Sequence, residues 1–277
     1  MIKHVNVFLR ILAFILVHYL IMSSYIIISS SVYMFINTVQ GTYDEAKFSV
    51  FFTNQVVLGV IVGALGALFV YYKMFQHHSS NLFRVVKFKK ISLKQVVLSL
   101  LIGSSIIFFS GLIVGFAAQL FPDAYESFAS SMEELENANV VFLVIAVVIA
   151  APLIEEVLFR GIAMHFLSKH YSVFIVIIVQ ALLFGIYHMS LIQGLYATGI
   201  GIVLGLSFLW TGSIWVPILI HFANNLMSYL MGTEIISQWF ESEAISALVF
   251  VYVMLFLVLP ISLVMLSKES NHRQLDY

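Results

Sequence analysis

A few side chains able to do chemistry stand inside long apolar stretches of this sequence. One stretch reads Ala151-Pro152-Leu153-Ile154-Glu155-Glu156-Val157-Leu158-Phe159-Arg160-Gly161. A second ends Phe184-Gly185-Ile186-Tyr187-His188, and a third contains His221-Phe222-Ala223-Asn224-Asn225. Ionisable groups in such surroundings are costly and are functional candidates by default. On an α-helix, residues four apart share a face, so Glu156 and Arg160 can pair along the helix axis. Glu155 projects about 100° away from Glu156. A carboxylate with no cation beside it on its own helix suits general-base work, whereas the paired one suits a structural role. His221 and Asn225 are also four apart, and both can donate hydrogen bonds to a developing oxyanion.

Helix rise sets the expected depths. Measured to an exit near Lys169, Glu155 lies about 14 residues or roughly 20 Å deep, and His188 lies roughly 24 Å from the inner end of its stretch. His221 is shallower, roughly 10 Å in, with Asn225 roughly 6 Å deeper. Glu155 and His188 agree well in depth, and all four residues lie within the hydrocarbon slab.

These residues need a membrane to hold them. Of 277 residues, 61% are hydrophobic and only 10% charged, with a mean hydropathy of +1.03. Soluble domains are about half apolar and a quarter charged. Backbone groups in lipid must be satisfied internally, which here means helices of about 20 apolar residues. Apolar stretches fall at about 9–36, 49–72, 95–121, 140–168, 172–188, 191–210, 214–231 and 244–266, by the hydropathy reading. The expected fold is therefore all-α and polytopic, with about eight transmembrane helices, in a single membrane domain over 1–277. The first stretch is too long for the h-region of a signal peptide, about 7–15 residues, and is expected to be retained as a span.

Charge orients the helices. The connection at 73–94 carries Lys73, Arg84, Lys87, Lys89, Lys90 and Lys94. The connection at 122–139 carries Asp123, Glu126, Glu133, Glu134 and Glu136 and no cation. The positive-inside rule puts the first in the cytoplasm and the second outside, with Lys3, Arg10, Lys169, Lys268 and Arg273 inside. Both termini are then cytoplasmic, and the expected location is the cell membrane. The chain has no cysteine, which excludes disulfides, thiolate metal sites and a cysteine nucleophile. No inverted repeat of the transporter kind is visible, and nothing points to a nucleic acid.

EExxxR at Glu155, Glu156 and Arg160, FxxxH at Phe184 and His188, and HxxxN at His221 and Asn225 together resemble the CPBP family. These are the type II CAAX prenyl endopeptidases and the related bacteriocin-processing and immunity membrane proteins. The flanking Ala151-Pro152-Leu153-Ile154, Arg160-Gly161 and Trp210-Thr211-Gly212-Ser213-Ile214-Trp215 add to the likeness, which covers about 140–230. The resemblance implies peptide hydrolysis within the membrane on a membrane-bound peptide or protein. It implies water activation by Glu155 with His188, oxyanion stabilisation by His221 and Asn225, and support from Glu156, Arg160 and Phe184. A metal-free mechanism with no cofactor is the preferred expectation. Zinc is the alternative, with Glu155, Glu156, His188 and His221 as its candidate ligands, although the shallow His221 fits poorly with ligands at matched depth. The competing expectation is a non-catalytic immunity, scaffold or regulatory protein of the same fold. His18 and His165 lack motif partners and are read as structural.

Overall fold

The structure is a computed structural model and describes residues 2–77 and 81–270. Arg273, one of the basic topology signals, lies outside the described residues, as does the side chain of Lys3. Every regular element among the described residues is helical. The long helices are α1 (Ile2–Val39), α2 (Glu45–His77), α4 (Leu93–Leu120), α6 (Val140–Ser168), α8 (Leu191–Thr211) and α11 (Ala244–Glu269). Two shorter ones are α7 (Val173–Tyr187) and α9 (Trp215–Met231). Short helices α3 (Leu82–Val86), α5 (Pro122–Glu136) and α10 (Glu234–Ser242) join them. Each expected apolar stretch thus becomes a helix.

Among the described residues, six helices are long and apolar enough to cross a membrane. The protein is an integral, multi-pass, all-α membrane protein. The helices α7 and α9, with 15 and 17 residues, fall short of the usual span. At α-helical rise α7 is only about 22 Å long. The two short helices are the ones that carry His188 and His221. A helix that ends inside the slab places its terminal side chain at depth without passing a charge through lipid.

Contacts group the chain into two compact units, Met1–Leu82 with Ala129–Leu158, and Phe83–Phe128 with Phe159–Tyr277. In the first unit α1 packs along α2, and α2 in turn packs on the first half of α6. Tyr71, fully buried, donates from its hydroxyl to the carbonyl of Phe14 at 2.6 Å, pinning α2 to α1 in apolar surroundings. At one end of this unit the backbone N–H of Asn139 donates to Oδ1 of Asn54 at 2.8 Å, and Asn139 caps the start of α6. In the second unit α4 lies against α8, α9 and α11, and α7 pairs with α8.

The helix α6 is not a uniform α-helix. It is π-helical at Val144–Ala150, α-helical at Ala151–Glu156, and π-helical again at Val157–Ala163. Pro152 explains the first interruption, because it has no N–H to give the carbonyl one turn back and its ring crowds that turn. Widening to i→i+5 bonds relieves the clash. The same device recurs in α11, where Pro260 follows a π-helical stretch at Met254–Val258. The π turns also rise less per residue, so the roughly 20 Å depth read for Glu155 from α-helical rise is an overestimate.

Candidate functional site

The expected residues divide between the two units, Glu155 and Glu156 in the first and Arg160, Phe184, His188, His221 and Asn225 in the second. In the first, Glu155 and Glu156 occupy the short α-helical segment of α6 between its two π turns. Glu156 is fully buried and Glu155 is 8% exposed. This segment packs against α2. Two adjacent buried carboxylates in a spanning helix are hard to justify by stability, since removing even one charge from water costs several kcal/mol. Their segment is flanked by π turns, which occur preferentially at functional sites.

The second unit gathers His188, His221 and Arg160 around one ring. Phe184 is 1% exposed. Its ring meets the His188 imidazole edge-on at 4.9 Å and the His221 imidazole edge-on at 5.7 Å. Phe159 makes a third perpendicular contact at 5.2 Å. The Arg160 guanidinium lies over the ring, 4.3 Å from its centroid. Phe184 therefore sets the mutual position of both histidines and of the arginine.

His188 caps the end of α7, and the chain then turns through Met189 at a φ of 57° into the N-cap Ser190 of α8. Its Nδ1 lies 2.8 Å from the carbonyl oxygen of Phe184. A carbonyl can only accept, so Nδ1 carries the proton and Nε2 keeps the lone pair. A nitrogen poised in this way can take a proton from water.

Arg160 is fully buried, and its Nη2 donates to the carbonyl of Gly201 at 3.2 Å. The Nε2 of Gln180, also fully buried, donates to the same oxygen at 2.8 Å. One carbonyl with two lone pairs thus orients both side chains. Gln180, Phe184 and His188 fall at i, i+4 and i+8, on one stripe of α7. That spacing was a usable sequence signal for Gln180, which the motif reading passed over.

The helix α9 is placed by two features. At Gly103 of α4 an added Cβ would collide with the Ile220 carbonyl and come 2.6 Å from the Ala223 Cβ. Only glycine permits that approach, next to His221 in sequence. Before α9, Gly212 closes α8 with a φ of 61°, a left-handed conformation that favours glycine. Ser213 Oγ then donates to the Lys89 carbonyl at 2.6 Å, and the Ile214 N–H donates to the Lys87 carbonyl at 3.1 Å. The basic connection is thereby pinned to the start of the helix bearing His221, and Trp215 packs on Phe88 at 5.4 Å. Burial, and then repulsion from Lys89, hold the Lys87 ammonium below its usual pKa. His221 is 5% exposed; Asn224 Nδ2 donates to Asn225 Oδ1 at 3.1 Å.

A catalytic zinc site takes three protein ligands. The second unit supplies two imidazoles on one phenylalanine. Among the described residues no group of three His, Asp or Glu side chains is arranged to hold a metal ion.

Residues 137–227 match the family described as Type II CAAX prenyl endopeptidase Rce1-like. Over 119 residues the chain is 29% identical to the protein named "Putative membrane peptidase YdiL" of Bacillus subtilis (strain 168). That likeness covers 40% of this chain and 49% of the relative, so the chain spans about half the length of the curated relative it matches. No solved structure matches. The matched segment contains all three motifs.

Proposed function

We propose that this chain, with its Rce1-like segment at 137–227, is an intramembrane endopeptidase. It cleaves a membrane-associated peptide or protein. The reading draws its main support from the arrangement around Phe184, where imidazoles from two different helices share one ring and His188 keeps Nε2 as its basic nitrogen.

In this mechanism Glu155 takes the proton from a water as it attacks the peptide carbonyl, while His188 Nε2 accepts a hydrogen bond from the same water and orients it. His221 and Asn225 donate to the oxyanion that forms, in surroundings where such bonds are strong. Glu156 and Arg160 hold α6, and Phe184 sets the rings. The proton then passes to the leaving amine. The mechanism needs no metal; zinc, if resident, would be held by His188 and His221 with a glutamate and would polarise the carbonyl. On this reading both termini lie on the cytoplasmic side of the cell membrane, which the positive-inside pattern of the basic connections supports.

The test uses purified protein in proteoliposomes with membrane-anchored peptides read by mass spectrometry. Glu155→Gln is expected to abolish cleavage with near-normal expression, whereas Glu156→Gln is expected mainly to lower thermal stability. Cleavage is expected to survive prolonged phenanthroline treatment. Loss of one tightly bound zinc per chain together with activity, and recovery of both on adding zinc, would overturn the metal-free step. Cleavage intact in Glu155→Gln would overturn the assignment as a whole.

A further inference from the structure

Away from the histidines, α4 and α11 enclose an apolar groove in the second unit. Its volume is about 460 Å³, and its walls include Val97, Leu98, Leu101, Leu257, Val258 and Ile261. The groove follows α4 from Lys94 to Leu101, about 10 Å at helical rise. Its far wall contains the π turn at Met254–Val258, so the widened backbone of α11 borders the groove. Leu101, Leu257 and Ile261 are exposed along it and face the hydrocarbon.

One end of the groove is polar and built with care. Lys94 lines that end, and its ammonium pairs with a Glu269 oxygen at 2.9 Å while its side chain stays 57% exposed. Ser92 donates to the other Glu269 oxygen at 2.6 Å and caps α4 in a capping box with Gln95. Lys89, Lys90 and Lys268, all exposed, lie close by in sequence to these two helix ends. Counted along the sequence, four cations and one carboxylate stand at or just outside these two helix ends, and beyond Lys94 the groove is lined by apolar side chains and Ser262.

We propose that this groove binds one anionic glycerophospholipid, an acyl chain lying between α4 and α11 and the phosphate on Lys94. An acyl chain fits the lining, and the excess of positive charge at one end selects a net-negative headgroup. A zwitterionic lipid brings its own cation to the same place and gains less. The Lys94–Glu269 pair then acts as a counterweight, since Glu269 competes with the phosphate for the ammonium.

That competition makes the test directional. Purified full-length protein in a neutral detergent is incubated with equal amounts of phosphatidylglycerol and phosphatidylcholine of the same acyl chains, and retained lipid is counted by native mass spectrometry. The wild type is expected to retain phosphatidylglycerol about five-fold or more over phosphatidylcholine, the selectivity that one lysine supplies near a charged headgroup. Lys94→Gln and Glu269→Gln break the same ion pair, so a purely structural effect moves both alike. The expected result is opposite: Lys94→Gln brings the preference towards unity, Glu269→Gln raises it, and Lys94→Arg retains it. Ile261→Trp fills the groove and is expected to reduce retention of both lipids, and it decides the matter where a charge variant fails to fold. Equal retention of the two lipids by the wild type would overturn the proposal. So would a preference that shifts in the same direction in Lys94→Gln and Glu269→Gln, or wild-type retention in Ile261→Trp. A dimer without lipid that dissociates in Ile261→Trp would assign the groove to a second copy of the chain and also overturn it.

Discussion

Phe184→Leu separates the ring from its bulk. Leucine keeps most of the apolar volume at a position that is 1% exposed. It loses three edge-on ring contacts, to Phe159 at 5.2 Å, His188 at 4.9 Å and His221 at 5.7 Å. It also loses the seat of the Arg160 guanidinium, 4.3 Å above the ring. Aromatic pairs contribute about 0.5–1.5 kcal/mol each, and a desolvated cation over a ring about 2 kcal/mol. These contributions overlap, and lipid already surrounds the helices, so only packing and ring electrostatics are lost. A total of about 3 kcal/mol follows. At about 2–4 °C per kcal/mol for a large domain, the melting temperature in detergent should fall by about 6–12 °C. Phe109→Leu is the control, since Phe109 is 37% exposed. Both histidines should also become more reactive towards diethylpyrocarbonate. A melting temperature within a degree of the control, with unchanged histidine reactivity, would refute the view that one ring organises the site.

Gly103→Ala should damage activity more than stability, because its Cβ meets the Ile220 carbonyl beside His221. Overpacking of this kind costs about 1–3 kcal/mol, and turnover measured at a temperature where the variant is fully folded should fall at least ten-fold; unchanged turnover would refute the close-approach argument. Lys87 titrates below its ordinary value of 10.5 in the folded chain. Between that lowered value and 10.5 the unfolded chain binds more protons, so stability should rise with pH across this window. Lys87→Gln should flatten the rise in a series of melts from pH 7 to 10, and an identical slope in the two proteins would count against it.

Much of this architecture was legible in the apolar stretches. Each of them became a helix, because a chain in lipid has few other ways to satisfy its backbone. The extents of α7 and α9 were legible too, each helix ending within about one residue of the apolar stretches at 172–188 and 214–231. The π turns of α6 and α11 were invisible to periodicity, although Pro152 and Pro260 are the local cause of the two that precede them. The packing role expected for Phe184 was read from the FxxxH motif. Its contact with His188 follows from the four-residue spacing, whereas its contact with His221 is tertiary information, carried between α7 and α9, that no spacing encodes. Gln180 had a signal in its four-residue offset from Phe184, and Gly103 had none, since a lone glycine in an apolar helix says nothing about what approaches it.

The central claim is hydrolysis by Glu155 within the membrane, and it is tested most directly on the native substrates. Cells carrying the wild type, Glu155→Ala, or no copy of the gene can be compared by quantitative proteomics of their membrane peptides, after blotting shows equal levels of the two proteins. The account predicts a set of membrane-associated precursors that accumulate uncut in Glu155→Ala as they do without the gene, with their cleavage products missing from both. Identical peptide profiles in wild type and Glu155→Ala, with a phenotype that depends on the protein but not on Glu155, would contradict it and leave a non-catalytic membrane protein in its place.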